Sequence, residues 1–174
     1  MSESYKTDTL TQHGKTYRVE WFYDHYSGAP WENGDCHGPV SDWTRRDKKP
    51  GEMILSSDRG VHRFYDFAQA VKIARRGDWN TAPHDWPSKG VQAAAAAMVD
   101  FEYLRRWCTD QWHYCGIVVT LLDDEGEDTD VFASLWCVED DGICSDHGSI
   151  IRDLIGECEY QENRTSYPVN CCGV

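Results

Sequence analysis

The chain has 174 residues, is 40% hydrophobic and 13% aromatic, and sets 30 Asp and Glu against 17 Lys and Arg, a formal net charge of −13. Aromatic content on this scale excludes a disordered polymer and suits a single domain with a real core, and the acidic balance disfavours direct nucleic-acid binding and favours basic partners. The longest apolar stretches, 93–99 and 116–122, fall far short of the roughly 20 residues of a bilayer-spanning helix, and the first twenty residues contain no apolar run, so no signal peptide and no membrane contact are expected.

Residues 1–15 are polar and predict a frayed N-terminus, followed by a single domain over 16–160 and a loose tail over 161–174. Alternation of β-branched and aromatic residues predicts a first strand over 17–23. Residues 24–38, rich in Gly, Pro, Asn and Asp, read as a long loop. A short strand is expected at 39–44, then a charged turn, then a hairpin formed by 52–57 and 61–65 around Asp58-Arg59-Gly60. Asp66 is placed to cap a helix reaching about Arg76, with Gly77 in the position where a left-handed residue ends a helix. Ser88 is placed to cap a longer helix to about Thr109. Its apolar face is predicted as Val91, Ala94, Ala95, Met98, Phe101, Leu104 and Cys108. Strands follow at 114–122 and 130–138, joined by an acidic turn. Ile150, Ile151, Leu154, Ile155 and Cys158 form the stripe of a last helix. The expected fold is α+β, an antiparallel sheet of about five or six strands packed by three helices in the order β-β-β-β-α-α-β-β-α.

The charge is unevenly spread. Between 109 and 163 lie fifteen carboxylates and one basic residue, Arg152. Asp123, Asp124, Glu125, Glu127, Asp128 and Asp130 crowd one turn, Glu139, Asp140 and Asp141 another, and Asp153 and Glu157 fall on the last helix. Crowded like charges destabilise a free protein, and a basic groove would relieve that repulsion. Carboxylates displayed in this way can stand in for phosphates, so these eleven residues are the candidate partner-binding face; a merely solvated acidic surface is the alternative. No EF-hand register is present, because the positions five residues before Gly126 and Gly142 are Leu121 and Cys137.

Eight cysteines without an export signal read as reduced thiols. Cys108, His113 and Cys115 bring three soft ligands close in sequence and are the candidate zinc site, although no CxxC pair is present to make the pattern specific. A zinc-supported enzyme or regulatory domain is thus a second reading. No residue is a defensible catalytic candidate: the chain contains no GxSxG, HExxH, P-loop or dinucleotide fingerprint. Arg45, Arg46, Lys48 and Lys49 form a basic turn that could meet the acidic half of another copy in a homodimer.

In several segments the chain resembles a family of small acidic bacteriophage accessory proteins. The likeness rests on 38–43 (GPVSDW), 46–52 (RDKKPGE), 58–60 (DRG), 63–68 (RFYDFA), 74–79 (ARRGDW) and 112–121 (WHYCGIVVTL). The resemblance implies no catalytic residues. It implies a product acting in the cytoplasm of a bacterial host, as an inhibitor of a defence complex that grips nucleic acid, of the anti-CRISPR or anti-restriction type. A structural phage protein with a solvated acidic surface is the remaining reading.

Overall fold

The computed structural model describes residues 3–33, 37–77, 79, 88–142 and 147–165. Its elements are β1 (Lys6–Gln12), β2 (Lys15–Tyr23), a 3-10 turn at Pro30–Glu32, β3 (Val40–Thr44), β4 (Glu52–Asp58), β5 (Val61–Asp66), α1 (Phe67–Arg75), α2 (Lys89–Cys108), β6 (His113–Leu122), β7 (Asp128–Asp140) and α3 (Gly148–Thr165). The α+β class and the three helices match expectation. The single sheet does not: the strands form a four-stranded sheet in the order β1-β2-β6-β7 and a three-stranded sheet in the order β3-β5-β4, both antiparallel.

The chain divides into two compact units. The first is Met1–Tyr26 with His113–Val174, and the second is Ser27–Trp112. The second is therefore an insertion between β2 and β6, two strands that pair with Tyr17 opposite Leu121 and Tyr23 opposite Cys115.

In the first unit, β2 alternates as read, turning Tyr17, Val19 and Trp21 to the core; β6 contributes Cys115, Ile117, Val119 and Leu121 to the same face. α3 lays Leu154, Ile155 and Cys158 against them. The segment expected to be frayed supplies β1, which pairs along its whole length with β2, from Lys6 opposite Trp21 to Gln12 opposite Lys15. It is a sheet-edge strand, and its sequence KTDTLTQ is mostly exposed, so hydrophobic alternation does not mark it. The last helix runs to Thr165, past the start of the expected tail; residues 166–174 lie outside the described residues.

In the second unit, the Asp66 carboxylate accepts from Gln69 N–H at 2.9 Å and starts α1, and Gly77 follows its end with φ of +92°. Ser88 Oγ accepts from Val91 N–H at 3.3 Å and starts α2. The buried face of α2 is rotated from expectation. It consists of Ala93, Ala96, Ala97, Asp100, Phe101 and Leu104, while Val91 and Met98 are exposed. The charged Asp100 stands in the middle of the apolar stripe and hides it from a hydrophobicity pattern. Leu55, Tyr65 and Ala70 complete this core.

Gly38 enters β3 with its backbone lying on the ring of Tyr65; a Cβ there would stand 2.6 Å from two ring carbons and from the phenol oxygen. Tyr65 is fully buried, so it has no room to yield. Gly38→Ala is expected to cost about 1–3 kcal/mol by overpacking. Gly126→Ala, whose position is open but has φ of +86°, should lose only about 1 kcal/mol from backbone strain. Urea midpoints of the two variants check the order.

Candidate functional site

The acidic β6–β7 turn is built by Asp123. Its carboxylate accepts from Glu125 N–H at 3.0 Å and Glu127 N–H at 2.8 Å, and its own N–H donates to Glu127 O at 2.9 Å. Asp123 is thus a structural residue of the turn. Asp124, Glu125 and Glu127 are left exposed on the tip, with Asp130 exposed further along β7.

The neighbouring acids are partly neutralised within the unit. Arg18 pairs with Asp128 and, at 3.3 Å, with Glu20. Lys15 pairs with Glu162, and His13 meets Glu159 at 2.8 Å. His13 and Lys15 flank the β1–β2 turn, so these contacts tie that turn to the C-terminal half of α3. The β1–β2 turn, the β6–β7 turn and the end of α3 therefore share one end of the sheet. The Glu159 carboxyl is held below its usual range, first by the His13 hydrogen bond.

Glu139, Asp140 and Asp141 lie at the other end of β7. That strand is 13 residues long, so Asp128 and Asp140 at its two ends are roughly 40 Å apart along it. Asp140 accepts a 2.6 Å hydrogen bond from Tyr5 Oη. Burial opposes its charge, yet the bonds from Tyr5 and from Gly142 N–H leave the carboxyl below the usual range. His147 anchors the start of α3 here: Trp21 Nε1–H donates to its Nδ1 at 3.1 Å, and its Nε2 lies 3.0 Å from Glu139 O. Asp153 and Glu157 are exposed on α3. The eleven candidate acids thus form two ends and a connecting helix, all on the first unit.

The two units differ in charge. The first unit holds eighteen acids and five Lys or Arg, net −13. The second holds twelve of each, net zero. The whole charge excess of the molecule belongs to one folding unit.

Of the three candidate zinc ligands, Cys108 belongs to the second unit and His113 and Cys115 to the first. Cys108 ends α2 in the second unit, with its Sγ 3.9 Å from Arg63 Nη1. Cys115 faces the first unit's core, and His113 packs on the rings of Tyr5 and Tyr23. Among the described residues no group of three or more His, Cys, Asp or Glu is placed to hold a metal ion. None of the four described cysteines is in a disulfide. No described helix is long and apolar enough to cross a membrane.

Two polar clusters in the second unit were not legible as sites. Asp100 accepts from Tyr65 Oη at 2.6 Å and Gly38 N–H at 2.8 Å, and meets His37 Nδ1 at 2.5 Å. It fastens the segment entering β3 to α2 and β5, and burial, aided by this carboxylate, raises the Tyr65 phenol well above its ordinary value. Arg63 lies 4.2 Å from the Trp43 ring centroid, with Trp31 and Trp107 at 5.3 and 5.6 Å, and pairs with Asp42 at 2.5 Å. Trp43 sits at the β3 bulge with φ of +32°. The members of each cluster are separated by tens of residues, and only the short Asp42–Trp43 and His37–Gly38 pairs were adjacent in sequence.

No protein-family model, curated protein or solved structure matches the chain.

Burial fixes the pH range of stability. It pushes the Cys115 and Cys158 thiols up to about 11 from 9.0. Between those values the unfolded chain releases protons that the native state keeps, so stability falls as pH rises through this window. The lowered carboxyls act in the opposite direction: Glu52 (first through the Arg46 hydrogen bond), Asp140 and Glu159 contribute stability that is lost as pH falls below the usual carboxylate range. Urea unfolding across pH should give a plateau with two falling limbs. The Cys115→Ala, Cys158→Ala double variant should flatten the alkaline limb between pH 9 and 10, below the range in which the buried phenols of Tyr5, Tyr17 and Tyr65 add a loss of the same sign; an identical limb there would remove the thiols as its cause.

Proposed function

We propose that this protein is a non-enzymatic inhibitor that occupies the basic groove of a nucleic-acid-binding host protein, presenting carboxylates where the groove expects phosphates. The partner class is a bacterial defence complex that grips nucleic acid, and the site of action is the host cytoplasm. The observation that carries this reading is the confinement of all thirteen excess negative charges to one unit. A solvated surface needs charge only for solubility, and charge spread over both units would supply it. Concentration on one unit costs self-repulsion, and a basic groove offsets that cost on binding. The carboxylates of Asp124, Glu125, Glu127, Asp130, Asp153 and Glu157 hold no ion pair among the described residues, so they are available to a partner without breaking an internal contact.

The test separates the exposed acids from those that build the turn. Asp124, Glu125, Glu127 and Asp130 are reversed to Lys together, leaving Asp123 and Asp128 in place. The parent protein, immobilised and exposed to nuclease-treated bacterial lysate, should retain a basic nucleic-acid-binding protein that salt and added DNA both displace. The reversed variant should bind that protein about a hundredfold more weakly at low salt. Equal retention by the variant, or retention indifferent to salt, removes the reading.

A further inference from the structure

The strand that links the two acidic ends is itself apolar and uncovered. On β7, Phe132, Leu135 and Trp136 are 56%, 44% and 47% exposed. α3 packs on one face of the four-stranded sheet, through Val119, Ala133 and Leu121. The other face carries the complementary register. Thr120 lies opposite Phe132 and Arg18, Val118 opposite Ser134 and Glu20, and Gly116 opposite Phe22. The Trp136 ring occupies the space a Cβ on Gly116 would need, and its centroid is 6.3 Å from that of Phe22. Gly116 thus seats an indole flat on the sheet. Val118, Leu122 and Phe22 are only half-buried beside it. Arg18, the one cation on this face among the described residues of the sheet, is engaged by Asp128 and Glu20.

We infer that this aromatic strip fills the place of stacked bases, and that the partner's groove is one built for single-stranded nucleic acid. The inference rests on the reading of the acidic unit given above. A duplex groove meets phosphates and base edges, whereas a single-strand groove joins a basic track to aromatic platforms on which bases stack. β7 presents the matching order: carboxylates at the turn, then Phe132 and Trp136, then carboxylates at Glu139–Asp141. The occupant is set by charge. A second copy that met this face through the same unit would bring another −13 charge onto a face flanked by acids, and anionic lipid would be repelled likewise. A basic protein surface carrying aromatic side chains satisfies both parts.

Two labelled peptides of equal length and equal lysine count test this by fluorescence anisotropy against the full chain, one with Trp and one with Ser at the intervening positions. Both should bind at low salt. The Lys/Trp peptide should bind about tenfold tighter and retain binding at about 0.5 M salt, where charge attraction is screened. Phe132→Ser and Trp136→Ser should each remove most of that preference, while the fourfold Lys reversal weakens both peptides alike. Phe132 is more exposed than Trp136, whose ring lies against Gly116, so its variant keeps the test sound if loss of the indole loosens β7; thermal melts identify that case. Equal binding of the two peptides, or a preference unchanged in Phe132→Ser, overturns the aromatic contact and leaves the electrostatic reading intact. Failure of both peptides at low salt overturns both. A dimer seen by light scattering and dissolved by Phe132→Ser puts a second copy on the face and also overturns the inference.

Discussion

Antiparallel pairing of β2 with β6 closes the first unit around an insertion of 86 residues, and the rest of the architecture depends on it. Bringing together the ends of an unstructured loop of that length costs about 4 kcal/mol of chain entropy. The pairing offsets this by burying Tyr17, Val19 and Trp21 beside Cys115, Ile117, Val119 and Leu121, several of them completely. Without it, β1 has no partner except an isolated hairpin, and α3 has no surface to cover.

The same pairing decides where the charge lies. It joins the short N-terminal segment, with three Lys or Arg, to the acidic C-terminal third, and it excludes the twelve bases of the insertion. Lys15 and Arg18 are therefore the main internal counterions for the acids of the β6–β7 turn and the end of α3. Both stand on β2, where they pair with Glu162 and Asp128. Partial exposure makes each pair weak in itself. Their importance is local, because they neutralise the acids nearest the sheet and leave the outermost ones free.

Local signals in the sequence were readable to within a residue or two. Asp66 and Ser88 cap their helices because a side-chain oxygen at those positions satisfies a free backbone N–H, a property that needs no tertiary context. The β4–β5 hairpin followed from Asp58-Arg59-Gly60, whose turn residues Arg59 and Gly60 both take positive φ, as a two-residue hairpin turn favours. Non-local features were hidden. β1 is an edge strand with threonines on one side, so it has no apolar rhythm. The split into two sheets depends on β2 skipping β3, β4 and β5, and strand pairing across such a distance leaves no mark in composition. Asp100 is the clearest case of a misleading residue. A carboxylate reads as solvent-facing, yet three donors from two other segments make its burial tolerable, and the whole stripe of α2 turns with it. The acids of the candidate surface were legible as residues, whereas their separation to opposite ends of β7 required the strand to be seen as thirteen continuous residues.

An exposed Phe and Trp on an edge strand ordinarily invite aggregation. Here the strand is protected by its own surroundings. Register shifts occur beside Cys115 and again beside Thr120, and Cys137 adopts φ of +61° at the first of them, so the edge is bent and offers no long straight ladder. Gln161 Nε2–H donates to Phe132 O at 3.2 Å and occupies an edge carbonyl. Acids at both ends repel other copies at long range. In the proposed role, the acidic ends disfavour a like-charged surface on the apolar strip and the bent edge disfavours a stray strand, while a surface of opposite charge meets neither barrier. That selectivity arises from three features acting together on one strand: acidic ends, an interrupted backbone edge, and a glycine in the neighbouring strand that lets an indole lie flat.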